Sequence, residues 1–97
     1  MHARATTIQG SPERVDEAIE QYRAALATFQ QIPGNRGAFL LVDRSAGKGI
    51  GVTLWDGEQA MQESRQRADQ LRQQAADEAQ GQIVSVEEYE IAVWDVT

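Results

Sequence analysis

Strand, helix, two strands, helix, strand is the order of elements that the sequence predicts, which makes the fold class α+β. The expected form is a ferredoxin-like βαββαβ unit, a four-stranded antiparallel sheet with two helices on one face. Three observations carry this. Val15, Ala18, Ile19, Tyr22, Ala25, Leu26 and Phe29 recur at steps of three and four, one continuous helical stripe. The run 38–42 and the alternating segment 49–55 flank a short glycine-bearing connection, as a hairpin requires. A second helical stripe then follows Asp56, and a β-branched segment closes the chain.

Taken in order, residues 3–9 alternate small or polar with β-branched side chains and stop at Gly10, a first strand. Ser11 is placed to cap the first helix, Pro12 occupies its first turn, and Glu13, Asp16 and Glu17 complement the positive end of its dipole. Pro33 and Gly34 end it. Residues 37–44 and 49–55 are the hairpin strands, with Ser45-Ala46-Gly47-Lys48 as the turn. Asp56 with Gln59 forms an expected capping box for the second helix, whose inner stripe is Met61, Ser64, Ala68, Leu71, Ala75 and Ala79. Gly81 closes that helix, and residues 83–96 form the last β segment. Val84 and Val86 share one parity whereas Tyr89, Ile91 and Val93 share the other, so a bulge or break is expected near Glu87-Glu88.

Ninety-seven residues suffice for one hydrophobic core, so residues 1–97 are read as a single domain. With no cysteine, the chain has no disulfide framework, thiolate metal site or cysteine nucleophile. A net charge of −6 opposes nucleic-acid binding, and the arginines of both helices alternate with Glu and Asp rather than forming a basic patch. No stretch approaches about 18 uninterrupted apolar residues and no signal-like run opens the chain, so we expect a cytoplasmic protein with no membrane partner.

Two helices on one side leave the other sheet face bare, yet the strands are apolar on both parities. Phe39 and Leu41 oppose Leu40 and Val42, and Leu54 opposes Trp55. A homodimer through the sheet face is the expected remedy. Three stretches, residues 33–43, 47–56 and 84–90, resemble the dimeric α/β barrel superfamily near the antibiotic-biosynthesis-monooxygenase-like proteins, with Trp55-Asp56 at the step into the second helix. The resemblance implies either a cofactor-independent monooxygenase acting on an aromatic or polyketide-like small molecule, or a non-catalytic dimeric ligand-binding or stress-associated module.

For the oxygenase chemistry an apolar pocket with a few polar groups is needed, and Tyr22, Thr53, Trp55 and Ser64 are the ligand-binding candidates. Tyr22 and Trp55 read equally as core, and spacing identifies no catalytic base. Haem-degrading relatives use a histidine on the second helix. Here that helix has none and Ser64 stands near where their tryptophan would be, so no cofactor is expected. The lone His2 reads as a frayed terminal residue. Gly47-Lys48-Gly49-Ile50-Gly51 opens a strand instead of a helix, which makes it a turn and not a phosphate loop. Glu87, Glu88 and Glu90 read as charges on a solvated edge strand, with no metal assigned.

Overall fold

The computed structural model describes residues 1–78 and 81–96, without the side chains of Arg72, Ala75 and Glu78. Strand β1 (His2–Gln9) leads through a 3-10 turn at Pro12–Arg14 into helix α1 (Val15–Gln30). Strands β2 (Asn35–Asp43) and β3 (Lys48–Trp55) form the hairpin, helices α2 (Glu58–Glu63) and α3 (Arg65–Glu78) follow, and β4 (Gln82–Glu90) completes the sheet. Strand order is β2-β3-β1-β4 with every neighbouring pair antiparallel, the split βαβ arrangement expected from the sequence.

Local chemistry departs from expectation at four places. Ser11 is extended and makes no side-chain cap, so Pro12 alone marks the helical start, through its fixed φ. Asp56 does not cap the second helix either. Its side chain pairs with Arg36, its N–H donates to the Gly34 carbonyl at 2.8 Å, and Gly57 takes the cap position. The second helix is two helices, because the Met61 carbonyl that a continuous helix would give to Arg65 accepts instead from Arg4 Nη2 and Ser64 Oγ, both at 2.7 Å. Finally, pairing through Glu87 and Glu88 is regular. The register shift lies between Thr7 and Ile8 on β1, opposite Ser85 and Ile83, so Val84 is the extra residue and the parity change occurs there.

Partners in the ladder share a face, which sorts the sheet into two surfaces. Arg4, Thr6, Ile8, Gly51, Thr53, Trp55 and Leu40 face the helices, and beneath them Phe29, Ile32, Trp55, Met61 and Ala68 form the buried core. On the second helical segment, Met61, Ser64 and Ala68 are buried as expected and Leu71 is partly buried. Ala76 is buried too, whereas the Ala75 side chain and Ala79 lie outside the described residues. The opposite face carries Phe39, Leu41, Ile50, Val52 and Leu54, with Phe39 and Leu41 at 42% and 53% exposure.

The hairpin tip is fixed by Asp43, whose carbonyl accepts from Gly47 N–H at 3.0 Å and whose side chain accepts from Ser45 Oγ at 2.8 Å and Ala46 N–H at 3.2 Å. The turn is therefore residues 44–47, and Lys48 already belongs to β3. Gly47 has φ 69°, and a Cβ there would lie 2.6 Å from the Ser11 carbonyl carbon and 2.7 Å from Pro12 N. Both are backbone atoms that cannot swing aside. Gly47→Ala should lower the unfolding free energy by about 2 kcal/mol or more in urea titrations, summing positive-φ strain and overpacking, with an unchanged m-value.

Candidate functional site

Tyr22 projects from the inner stripe of α1 onto β3, where the absence of side chains at Gly49 and Gly51 leaves room above the strand. A Cβ at Gly51 would lie 3.0 Å from Tyr22 Cε2, so the ring rests directly on that strand. Its hydroxyl donates to the Phe39 carbonyl at 2.9 Å, with the Val52 carbonyl at 3.2 Å. Burial pushes the phenol up to about 12, so near neutral pH Tyr22 holds its proton and acts as a donor, not a base.

Two narrow cavities flank this ring. One, of about 60 Å³, lies toward the hairpin turn between Val15, Ala18, Leu40 and Gly49, with Arg14 and Lys48 also in its lining. The other, of about 30 Å³, lies deeper against Thr6, Phe29, Gly51, Thr53 and Leu71. A shallower groove of about 250 Å³ runs outside them between α1 and β2, past Ile19, Leu26 and Phe39. No carboxylate or imidazole belongs to the lining of any of the three among the described residues.

Of the four residues singled out from sequence, Tyr22 and Thr53 share the deeper cavity. Trp55 and Ser64 belong elsewhere. Trp55 has no exposed surface and donates from Nε1 to Thr53 Oγ1 at 3.0 Å, while Ser64 is buried beneath the break between α2 and α3. What joins these two is Arg4, which the sequence reading passed over. Its side chain is 1% exposed. Cζ lies 5.6 Å from the Trp55 ring centroid, and the guanidinium donates to Glu88 Oε2 from Nε at 3.1 Å and Nη2 at 3.0 Å. It also donates to the Met61 carbonyl at 2.7 Å and, weakly, to Ser64 Oγ at 3.4 Å. Arg4 was the only charged residue in its strand, on the same parity as Thr6 and Ile8, and that inward phase was the available signal.

Glu88 is not a solvated edge charge. Arg65 pairs with it from the helix side and Arg4 from below, and these partners hold its carboxyl below the ordinary glutamate value. His2 is no frayed terminus: it belongs to β1, is half-buried, and pairs in register with Trp55 and Glu90. With Glu58, Arg65, Glu88 and Glu90 it borders a polar cleft of about 330 Å³ at that end of the sheet.

Replacing Arg4 with Met should lower stability by about 2 kcal/mol in chemical denaturation, because it takes the buried one of two cationic partners from Glu88 and one of two donors from the Met61 carbonyl. A carboxyl depressed in the folded state contributes stability above its unfolded value, near pH 4.5, that is lost as pH falls through the folded one. Glu88→Gln should therefore flatten the acid limb of a stability profile recorded from pH 5 downward, as followed by thermal melts.

The model for the family described as antibiotic biosynthesis monooxygenase matches residues 1–76. Among curated proteins, an uncharacterized protein of Mycobacterium tuberculosis strain H37Rv is 38% identical over 93 residues, 95% of this chain but 41% of that protein. The chain thus spans about two-fifths of the length of the curated relatives it matches. Among solved structures, a monooxygenase of Streptomyces coelicolor in complex with the ligand nanaomycin D superposes with a TM-score of 0.73 at 12% identity, covering 99% of this chain and 91% of that one. A haem-degrading protein of Mycobacterium tuberculosis with two haems in its active site gives 0.70 at 18% identity over the whole of both chains. Haem does not fit the residues here: α2 and α3 carry no histidine, and Trp55, Met61 and Ala68 fill the core beneath them. Ferredoxin-like in fold and matched over most of its length, the chain belongs to the antibiotic biosynthesis monooxygenase family.

Proposed function

We propose that this protein acts as a homodimer that takes a flat aromatic or polyketide-like molecule into the cleft beside Tyr22. The observation that carries this is the bare backbone at Gly49 beside the Tyr22 ring that rests on Gly51, an apolar slot bordered by backbone. The cavities are too narrow to hold such a ligand without movement of α1, and the groove along β2 shares Tyr22, Leu40 and Val42 with the wider of them. Tyr22 would offer its hydroxyl to a ligand oxygen in place of a strand carbonyl. Dimerisation is supported by the apolar outer face, where Phe39, Leu41 and Val52 would otherwise stand against water.

The leading reading is ligand binding without turnover, because among the described residues no carboxylate or imidazole lines the cleft to remove a substrate proton. The second is cofactor-independent monooxygenation, in which the substrate supplies the electrons for oxygen. It is favoured by the family match and by the fold shared with the Streptomyces coelicolor monooxygenase. Titration calorimetry with 1,4-naphthoquinone, and oxygen uptake with its hydroquinone above the rate of autoxidation, separate them. Saturable binding without uptake supports the module. Saturable uptake supports the enzyme, and neither result would sink both. A Cβ at Gly49 meets only ordinary contacts, the nearest at 3.5 Å, so Gly49→Val should fold yet weaken binding at least about tenfold by filling the slot.

Light scattering should give about twice the 10.7 kDa chain mass. Leu41→Asp combined with Val52→Asp should return the chain to a monomer, since a bare carboxylate buried between sheets costs several kcal/mol.

A further inference from the structure

The deeper cavity beside Tyr22 is walled by Ile8, Ala25, Phe29 and Leu71, yet two hydroxyls, those of Thr6 and Thr53, stand on its floor. In the ladder Thr6 lies opposite Gly51 and Thr53 opposite Arg4, so the two threonines are diagonal neighbours on the helix face of β1 and β3. Both are buried, Thr6 to 3% exposure and Thr53 to 7%.

A buried hydroxyl ordinarily has a partner. Among the described residues that of Thr6 has none. Thr53 Oγ1 accepts from Trp55 Nε1 at 3.0 Å, which uses one lone pair, and its own proton is given to no described residue. Two unspent hydroxyls therefore meet in a space that is otherwise apolar. Packing alone does not ask for Thr6: valine has the same shape and suits a strand as well, without the cost of burying an unpaired hydroxyl. A cavity needs about 10–15 Å³ to hold one water. At about 30 Å³ this one accepts a single oxygen and the carbon that bears it, and not a ring. Ile8 and Tyr22 line both this cavity and the wider one, so the two adjoin at the edge of the Tyr22 ring.

We propose that Thr6 and Thr53 form a socket for one oxygen on the rim of the aromatic ligand, so that the cleft selects rings bearing such an oxygen over bare hydrocarbon rings. The flat body lies in the wider cavity against Gly49, and its oxygen reaches past Tyr22 to the two hydroxyls. Each hydroxyl can give or take a hydrogen bond, so a phenolic hydroxyl and a quinone carbonyl both satisfy the pair. This names the ligand class of the cleft proposed above and rests on that reading.

1-Naphthol and naphthalene share one flat body and differ by one oxygen, which makes their affinities, measured by equilibrium dialysis, a direct test. The wild-type protein should bind 1-naphthol at least about tenfold more tightly, the worth of one well-made hydrogen bond. Thr6→Val should bring 1-naphthol down to the level of naphthalene and leave naphthalene unchanged, while Thr6→Ser keeps the preference. Because the Thr6 hydroxyl has no partner within the protein, Thr6→Val should not lower the melting temperature, as loss of a structural hydrogen bond would. Equal affinities in the wild type, or a preference that survives Thr6→Val, would overturn the socket and leave the cleft reading standing. If neither compound binds and 1,4-naphthoquinone also fails to bind, both readings fall.

Discussion

A guanidinium taken out of water must be surrounded by acceptors, and much of this fold is arranged around meeting that demand for Arg4. Its strand carries it to the helix side of the sheet, where Glu88 from β4, the Met61 carbonyl from α2 and the face of Trp55 from β3 converge on it. The charge thereby decides where a helix breaks. By accepting from Arg4, the Met61 carbonyl leaves the helical ladder, and Ser64 turns the chain into α3. Arg65, the first residue after that turn, closes over Glu88 from outside. Sheet, α2 and α3 are registered on one another through a single side chain, which hydrophobic packing of alanine-rich α3 would specify poorly.

The same demand divides the helix face of the sheet into two regions. At the end where β1 begins it is filled and polar at its heart, with Trp55 wholly enclosed. Toward the hairpin turn glycines replace side chains, and Tyr22 rests on backbone with thin gaps on both sides. Packing makes the second the one with space, and its phenol, held protonated by burial, defines what that space offers: apolar walls and a hydrogen-bond donor.

How much of this could be read beforehand follows from the kind of signal each feature leaves. The stripe through Val15, Tyr22 and Phe29 and the two-sided apolar run at Phe39 to Val42 repeat with the period of their elements, so helix, hairpin and bare face were legible. Tyr22 and Thr53 line one cavity, but only Tyr22 was marked beforehand, by its place on the helical stripe; Thr53 left no signal of its own. Arg4 was not, since one charge in a strand of small residues shows its role only when Glu88, 84 positions away, is beside it. The cap at Asp56 failed for a related reason: Arg36, across the hairpin, competed for the carboxylate. The break expected at Glu87-Glu88 is absent: Val86 and Tyr89 stay on opposite faces, and the shift at Val84 instead brings Ile83 and Val86 onto the same one, a pairing detail that parity alone does not reveal.

The tip of the hairpin is tied to the corner between β1 and α1. Gly10 N–H donates to the Gly47 carbonyl at 2.9 Å, and Gln9 Nε2 reaches the Ala46 carbonyl at 2.7 Å. Gly10 and Gly47 also border the larger cavity. This latch pins the first turn of α1 to the hairpin, and Phe29 anchors its last turn in the core, so Tyr22 sits mid-span on a helix clamped at both ends. A guest would thus be admitted by a beam that bows in the middle and keeps both supports.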